Sequence, residues 1–147
     1  MTKLLVLNGP NLNLLGTREP GQYGHETLKD VEEKCRQVAA QFDCEVECFQ
    51  SNTEGYLIDA IHKAGVEFKN GECVGVVFNP GAYTHTSIAL HDAIKGVDVP
   101  VIEVHISNVH ARETFRHHSY ISPVAAGTII GMGTKGYPLA IKYLLED

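Results

Sequence analysis

The chain has 147 residues, a formal net charge of −6 and 44% hydrophobic residues. This length fits one domain, residues 1–147, which can bury a core without disulfide or metal staples. The acidic balance, without any Lys/Arg-rich block, argues against nucleic acid or an anionic membrane as a partner. No apolar run approaches about 20 residues, so no transmembrane helix is predicted.

Four cysteines stand at positions 35, 44, 48 and 73. They form no CxxC pair and no spacing that is typical of zinc ligands. The residues before the first predicted strand lack the layout of a signal peptide. We therefore expect reduced, mostly buried thiols in a cytoplasmic protein.

Five predicted strands alternate with helices along the chain. Continuous apolar runs at 3–8 and 73–78 predict strands buried on both faces, and the alternating run at 45–49 predicts a strand nearer the sheet edge. Two further strands are predicted at 99–104 and 127–131. The pattern implies an α/β fold, with a five-stranded parallel sheet in the flavodoxin-like doubly wound order 2-1-3-4-5.

Helical spacing of apolar residues predicts four helices. The first begins at the cap that Thr27 and Asp30 form, and the second at a similar cap over 51–54. The second helix is expected to end before Gly65. The third is expected over 86–95, with Ile88 among its apolar positions, and the last over 137–145.

A long loop rich in Gly, Pro and Asn follows the first strand. Loops of this length in compact domains are usually functional or disordered. We interpret this one as a lid, with a fixed half at 8–13 and a mobile half at about 16–24. Leu12, Leu14 and Leu15 are expected to anchor it on the core.

Polar residues follow strands one, three and four, at the edge where parallel strands bind ligands. Asn8 and Asn79 end the first and third strands, and Glu103 and His105 end the fourth. This set, with few charges, predicts a site for a hydroxylated small molecule and for proton transfer. An anionic ligand would need a local arginine or backbone N–H groups.

Two motifs resemble ligand-binding patterns but lack the residues that those patterns require. The GxGxxG match at 131–136 lacks a following βαβ unit with an acidic residue about 20 positions on, so we interpret it as a tight turn. His110, His117 and His118 lack a metal-ligand pattern and are expected to be solvated or hydrogen-bonded. We expect neither a cofactor nor a metal.

The chain resembles the type II 3-dehydroquinate dehydratases over nearly its whole length. The resemblance rests on LNGPNLNLLG at 7–16, NPGAYTH at 79–85 and EVHISN at 103–108, together with Arg18, Tyr23 and Arg116. It implies a flavodoxin-like subunit in a homododecamer built as a tetramer of trimers. It also implies cofactor-free dehydration of 3-dehydroquinate to 3-dehydroshikimate, by anti elimination through an enolate.

The resemblance also implies catalytic roles. Tyr23 matches the base, and Arg18 the charge that lowers its pKa. His105 matches the proton donor to the leaving hydroxyl, and Glu103, two residues earlier on the same strand face, orients that imidazole and raises its pKa. Asn11 matches the residue that holds a water against the enolate oxygen.

Six further residues match groups that bind the substrate. Ile106 and Ser107 match the carboxylate site, and Asp92 the acid contributed across the trimer interface. The full set is Asn79, His85, Asp92, Ile106, Ser107 and Arg116.

Other functions remain open from the residues alone. The main alternative is a flavodoxin-like protein that binds flavin or another small ligand without dehydratase activity, although Asn and Leu stand where a phosphate loop would need Ser, Thr or Gly. A receiver-like phosphoacceptor would need acidic residues where Asn8 and Asn79 stand. The sequence also leaves open whether the product would serve aromatic biosynthesis or quinate breakdown.

Overall fold

The computed structural model describes residues 2–17 and 25–146. The mobile half predicted for the lid, with Arg18 and Tyr23, lies almost entirely outside them. The strands are β1 Lys3–Asn8, β2 Glu45–Gln50, β3 Cys73–Asn79, β4 Val101–His105 and β5 Gly127–Ile130. The α-helices of the described residues are α1 Leu28–Ala40, α2 Glu54–Lys69, α3 Ile88–Lys95 and α4 Gly136–Leu145.

The five strands form one parallel sheet in the order β2-β1-β3-β4-β5, which confirms the predicted topology. Asn8 at the end of β1 is in register with Gln50 on one side and Asn79 on the other. The strand ends therefore meet at one edge, as parallel pairing requires. β2 lies at the sheet edge, as its alternating pattern predicts.

Helices cover both faces of the sheet. One apolar cluster packs α1 and α4 against the strands, and the other packs α2 and α3. β1, β3 and β4 lie between the two clusters and are almost completely buried. This two-sided burial explains why β1 and β3 read as continuous apolar runs.

The start of α1 confirms one cap prediction, and the start of α2 corrects the other. The Thr27 side chain accepts from the Asp30 amide at 3.3 Å, and the Asp30 carboxylate accepts from the Thr27 amide at 3.0 Å. In the second segment the Ser51 hydroxyl accepts from the Thr53 amide, which precedes the helix. Thr53 makes no side-chain cap for α2.

The predicted end of α2 is wrong. The helix passes through Gly65 and ends at Lys69, and Asn70 and Gly71 then form the predicted turn. A Cβ at position 65 would lie 2.6 Å from a methyl carbon of Val97. The glycine therefore marks close packing between α2 and the segment before β4, and it does not terminate the helix.

Two apolar residues predicted to pack are exposed. Ile88 begins α3 two residues later than expected, because Ser87 caps the helix by accepting from the Leu90 amide at 2.9 Å. Ile88 is 57% exposed and Leu14 is 44% exposed, whereas Leu12 and Leu15 are buried as predicted.

The remaining sequence predictions concern turns and thiols. The glycine motif at 131–136 forms the predicted tight turn, with φ of +83° at Gly131 and +62° at Gly133. The four cysteines are free thiols, and three of them are buried. Within the described residues, no helix has the length and apolar character to span a membrane.

Candidate active site

The ends of β1, β3 and β4 surround a cavity of about 150 Å³. The structure brings seven of the sequence-predicted site residues to its walls. They are Asn11, Asn79, His85, His105, Ile106, Ser107 and Arg116. The cavity therefore lies at the edge of the sheet that the doubly wound fold predicts for a ligand.

The loops after β1 and β3 close one side of the cavity by backbone contact. The Gly9 amide donates to the Asn79 carbonyl at 2.8 Å, and a Cβ at Gly9 would overlap the Pro80 carbonyl. Gly81 has a φ of +60° and lies against the Pro10 carbonyl. Glycine is needed at both positions, because a side chain would separate the two loops.

Asn11 lies at the rim of this cavity in the left-handed region, with a φ of 70°. Its backbone amide donates to Asn52 Oδ1 at 3.0 Å, and Gln50 donates to the Gly9 carbonyl at 3.1 Å. Asparagine tolerates this conformation better than most residues. Side chains at and just after the end of β2 thus hold the backbone around Asn11 in place. The side-chain amide of Asn11 is left available to a ligand.

Glu103 and His105 form a buried pair on β4. The Glu103 carboxylate is completely buried and lies 2.6 Å from His105 Nε2. Burial by itself raises the pKa of Glu103, but the hydrogen bond and charge of His105, with the hydroxyls of Ser122 and Thr84, outweigh it and lower the pKa to about 2. Glu103 is therefore an anion at neutral pH, and it fixes the orientation of the imidazole.

His85 faces His105 across the cavity wall. The two rings are stacked with centroids 6.5 Å apart, and His85 Nδ1 lies 2.8 Å from the His118 carbonyl. Burial, and then the nearby positive charges, lower the pKa of His85 despite that carbonyl. The His118 carbonyl can only accept, so a neutral His85 carries its hydrogen on Nδ1 and leaves Nε2 to accept from a ligand hydroxyl.

A buried tyrosine joins the two strand ends that flank the switch point of the sheet. The Tyr137 hydroxyl donates to Asn8 Oδ1 at 2.6 Å and accepts from Asn79 Nδ2 at 2.9 Å. Asn79 Oδ1 accepts from the Gly81 amide at 3.0 Å. One hydrogen of the Asn79 amide remains for a ligand, since the NH₂ group carries two.

Two arginines give the cavity positive charge in an otherwise acidic chain. Arg116 was predicted; it is bonded to Glu113 at 3.0 Å. Arg112 was missed, although it lines the cavity and its Nη1 donates to Ser107 Oγ at 3.3 Å. It follows β4 in a polar connection without periodicity, so no local pattern marks it. The cavity meets the requirement for an anionic ligand.

The structure does not bring every predicted residue to this cavity. Asp92 lies on α3 with its side chain 69% exposed and 3.0 Å from His91 Nδ1. It does not line this cavity. Arg18 and Tyr23 lie outside the described residues.

Sequence reasoning included Thr84 in the motif at 79–85 without pairing it with Glu103, and it missed two serines that contact the same carboxylate. Thr84, Ser119 and Ser122 all donate to this carboxylate. The serines lie in the connection between β4 and β5, where a short helical turn covers Ser122–Val124. Among residues 2–17 and 25–146, no three His, Cys, Asp or Glu side chains gather as metal ligands do.

Comparisons with known proteins agree with this geometry. The family model described as Dehydroquinase class II matches residues 2–145. A protein named 3-dehydroquinate dehydratase from Marinomonas sp. (strain MWYL1) is 70% identical over 146 residues, covering 99% of this chain and 97% of the relative. A protein named Catabolic 3-dehydroquinase 2 from Aspergillus flavus is 60% identical, covering 100% of this chain and 95% of the relative.

A solved structure gives the same result for the fold. The crystal structure of type II dehydroquinase from Propionibacterium acnes has a TM-score of 0.93 and 43% identity, covering 100% of this chain and 98% of that chain. Sequence and fold thus match over the same nearly complete length. The chain belongs to the class II dehydroquinase family.

Proposed function

We propose that this chain dehydrates 3-dehydroquinate to 3-dehydroshikimate by anti elimination through an enolate, without a cofactor. The observation that carries the proposal is the buried pair of Glu103 and His105 at a cavity with two arginines. An orienting carboxylate behind an imidazole is the arrangement that general acid catalysis uses. The arginines suit the carboxylate of this substrate.

The reaction needs a base, a stabiliser for the developing enolate and an acid. His105 serves as the acid that protonates the leaving hydroxyl, and Glu103 orients it. Asn11 holds a water against the enolate oxygen, which its position at the cavity rim supports. Tyr23 serves as the base and Arg18 lowers its pKa; these two roles rest on the sequence resemblance alone.

The substrate carboxylate binds at the end of β4. The Ser107 hydroxyl and the Ile106 N–H hold it, and Arg112 beside Ser107 adds positive charge. Asn79, His85 and Arg116 bind the ring hydroxyls. Support for this arrangement comes from their common cavity and from the free hydrogen on the Asn79 amide.

We also propose a homododecamer, a tetramer of trimers, in the cytoplasm. The exposure of Asp92 and its distance from its own cavity fit a residue that reaches the site of a neighbouring subunit. The buried free thiols fit a reducing compartment. Light scattering coupled to gel filtration should give the mass of about twelve chains, and a monomer would contradict the proposal.

The test of function is an assay with 3-dehydroquinate on chelator-treated protein, followed by the ultraviolet absorbance of the conjugated product. A parallel sample is treated with borohydride beforehand. We expect product in both samples. Loss of activity after borohydride would indicate a lysine imine and overturn the assigned roles, and no product in either sample would overturn the activity itself.

Variants test the two residues outside the described structure. Tyr23→Phe should abolish turnover while substrate still binds, whereas Tyr143→Phe, at a 66% exposed position, should leave turnover unchanged. Arg18→Ala should lower kcat more than it raises KM, because its role is the protonation state of the base. An effect on KM alone would make Arg18 a substrate anchor.

A further inference from the structure

The Glu103 carboxylate is surrounded by hydrogen-bond donors. Oε2 lies 2.7 Å from the Thr84 hydroxyl, 2.9 Å from the Ser119 hydroxyl and 2.6 Å from His105 Nε2. Oε1 accepts from the Ser122 hydroxyl. An ionised carboxylate has about four acceptor positions. Four donors, three of them hydroxyls, therefore surround the carboxylate, three at Oε2 and one at Oε1.

The Ser119 hydroxyl can act only as a donor towards this carboxylate. Its oxygen accepts the backbone amides of Ile121 and Ser122, each at 3.0 Å. A hydroxyl oxygen has two acceptor positions and one hydrogen, so these bonds leave only the hydrogen to give. A proton on Glu103 would find no acceptor at Ser119.

We propose that Ser119 and Ser122 are positioning residues that hold Glu103 as a carboxylate able only to accept. His105 Nε2 must then carry a hydrogen in every protonation state of the ring. Nδ1 is left as the nitrogen that gives its proton to the leaving hydroxyl, which departs as water. Only this last, catalytic step rests on the proposed function; the placement of hydrogens stands without it.

The polar connection that follows β4 positions the two serines beside Glu103. The Tyr120 amide donates to the Thr84 carbonyl at 2.8 Å, so this connection is tied to the turn after β3. It thereby delivers Ser119 and Ser122 to Glu103. A second cavity of about 350 Å³ adjoins them. Its other titratable or charged side chains are His85, His110, Arg116, His117 and His118.

The direct test reads the tautomer of His105 without substrate. Protein labelled with ¹⁵N-histidine is sedimented and its ring nitrogens are measured by solid-state NMR, with His105 assigned from the His105→Gln spectrum. In wild type at a pH where the ring is neutral, we expect hydrogen on Nε2 and none on Nδ1. Hydrogen on Nδ1 alone would overturn the proposal.

Variants then test the serines. In the Ser119→Ala/Ser122→Ala double variant we expect mixed tautomers and a kcat lowered about tenfold to a hundredfold with little change in KM, as for other groups that orient a histidine. The single variant Ser122→Thr retains both hydroxyls, so His105 should keep its hydrogen on Nε2, as in wild type. An unchanged tautomer and kcat in the double variant would refute the positioning role.

A matched control separates positioning from stability. Ser87 is a buried serine, whereas Ser119 and Ser122 are partly buried. Its hydroxyl caps α3 by accepting from the Leu90 amide and makes no hydrogen bond to Glu103. Ser87→Ala should lower the melting temperature and leave the ring-nitrogen signals of His105 unchanged. If Ser87→Ala shifted the His105 ring-nitrogen signals as the double variant does, general destabilisation would explain the shifts in both variants, and the positioning role would be refuted. If the double variant failed to fold, the wild-type tautomer and Ser122→Thr would still decide.

Discussion

Tyr137→Phe removes one oxygen atom from the centre of the molecule. Tyr137 lies on α4 and is completely buried. Its hydroxyl donates to Asn8 Oδ1 at 2.6 Å and accepts from Asn79 Nδ2 at 2.9 Å. Phenylalanine keeps the ring and its packing, so the substitution isolates the two hydrogen bonds that join the ends of β1 and β3.

The expected loss of stability is about 2–4 kcal/mol. A buried donor or acceptor that loses its partner costs about 1–3 kcal/mol, and Tyr137→Phe leaves one of each. Asn8 is affected more: within residues 2–17 and 25–146 its Nδ2 has no hydrogen-bond partner and its Oδ1 would lose the Tyr137 hydroxyl, whereas Asn79 still accepts from the Gly81 amide. At about 2–4 °C per kcal/mol for a chain of this size, the melting temperature should fall by about 10 °C.

Urea unfolding followed by circular dichroism measures this loss. Protein concentration is held fixed, since assembly would make the apparent stability depend on it. Tyr143→Phe on the same helix is the matched control: that side chain is 66% exposed, and its free energy of unfolding should change by less than about 0.5 kcal/mol. Equal effects of the two substitutions would refute the energetic role of the tyrosine bridge.

Three further predictions concern acid stability, thiol reactivity and loop packing. The pKa of Glu103 is lowered from 4.5 to about 2, so its ionised form contributes about 3 kcal/mol to the free energy of unfolding above pH 4.5, and this contribution is lost as the pH falls towards 2. The urea midpoint of Glu103→Gln should therefore vary less with pH in this window than the midpoint of wild type. Equal pH dependence of the two midpoints would contradict the lowered pKa. Burial raises the pKa of the completely buried Cys35 to about 12 and of the partly buried Cys48 to about 11. Iodoacetamide at pH 8 should therefore label Cys35 only after unfolding and Cys48 slowly in the native protein, as measured by mass spectrometry; rapid labelling of native Cys35 would count against its burial. Gly9→Ala should lower the free energy of unfolding by about 1–3 kcal/mol, because its Cβ would overlap the Pro80 carbonyl. Gly55→Ala has open space around it and should raise the free energy of unfolding by up to about 1 kcal/mol. Similar urea midpoints for the two variants would argue against the close contact between Gly9 and Pro80.

The sequence predicted the elements that local patterns specify. Thr27 and Asp30 form their cap from neighbouring residues alone, and the apolar runs of β1 and β3 follow directly from burial on both faces. The prediction failed where a distant residue decides. Gly65 reads locally as a helix end, but Val97, far along the chain, packs against it and the helix continues.

The residues of the site that lie at strand ends were predicted, and those in the connection after β4 were not. Parallel strands align their ends, so the positions of Asn79 and His105 follow from the sheet, and the resemblance added the neighbouring residues. Arg112, Ser119 and Ser122 were missed because they lie in a connection without hydrophobic periodicity. Only the folded chain brings them to the end of β4, so composition and spacing carry no signal for them.

The energetics of Glu103 link stability with chemistry at this site. Taking a carboxylate out of water costs several kcal/mol, which only close donors can offset. His105 and the three hydroxyls provide those donors, and at Oε2 a proton could bind only by displacing one of three hydrogen bonds. The contacts that make the buried charge tolerable thus also favour a hydrogen on His105 Nε2 over a proton on Glu103. Under the proposal, the hydrogen on Nε2 stays between the two side chains, and Nδ1 is the nitrogen left to exchange a proton with a ligand.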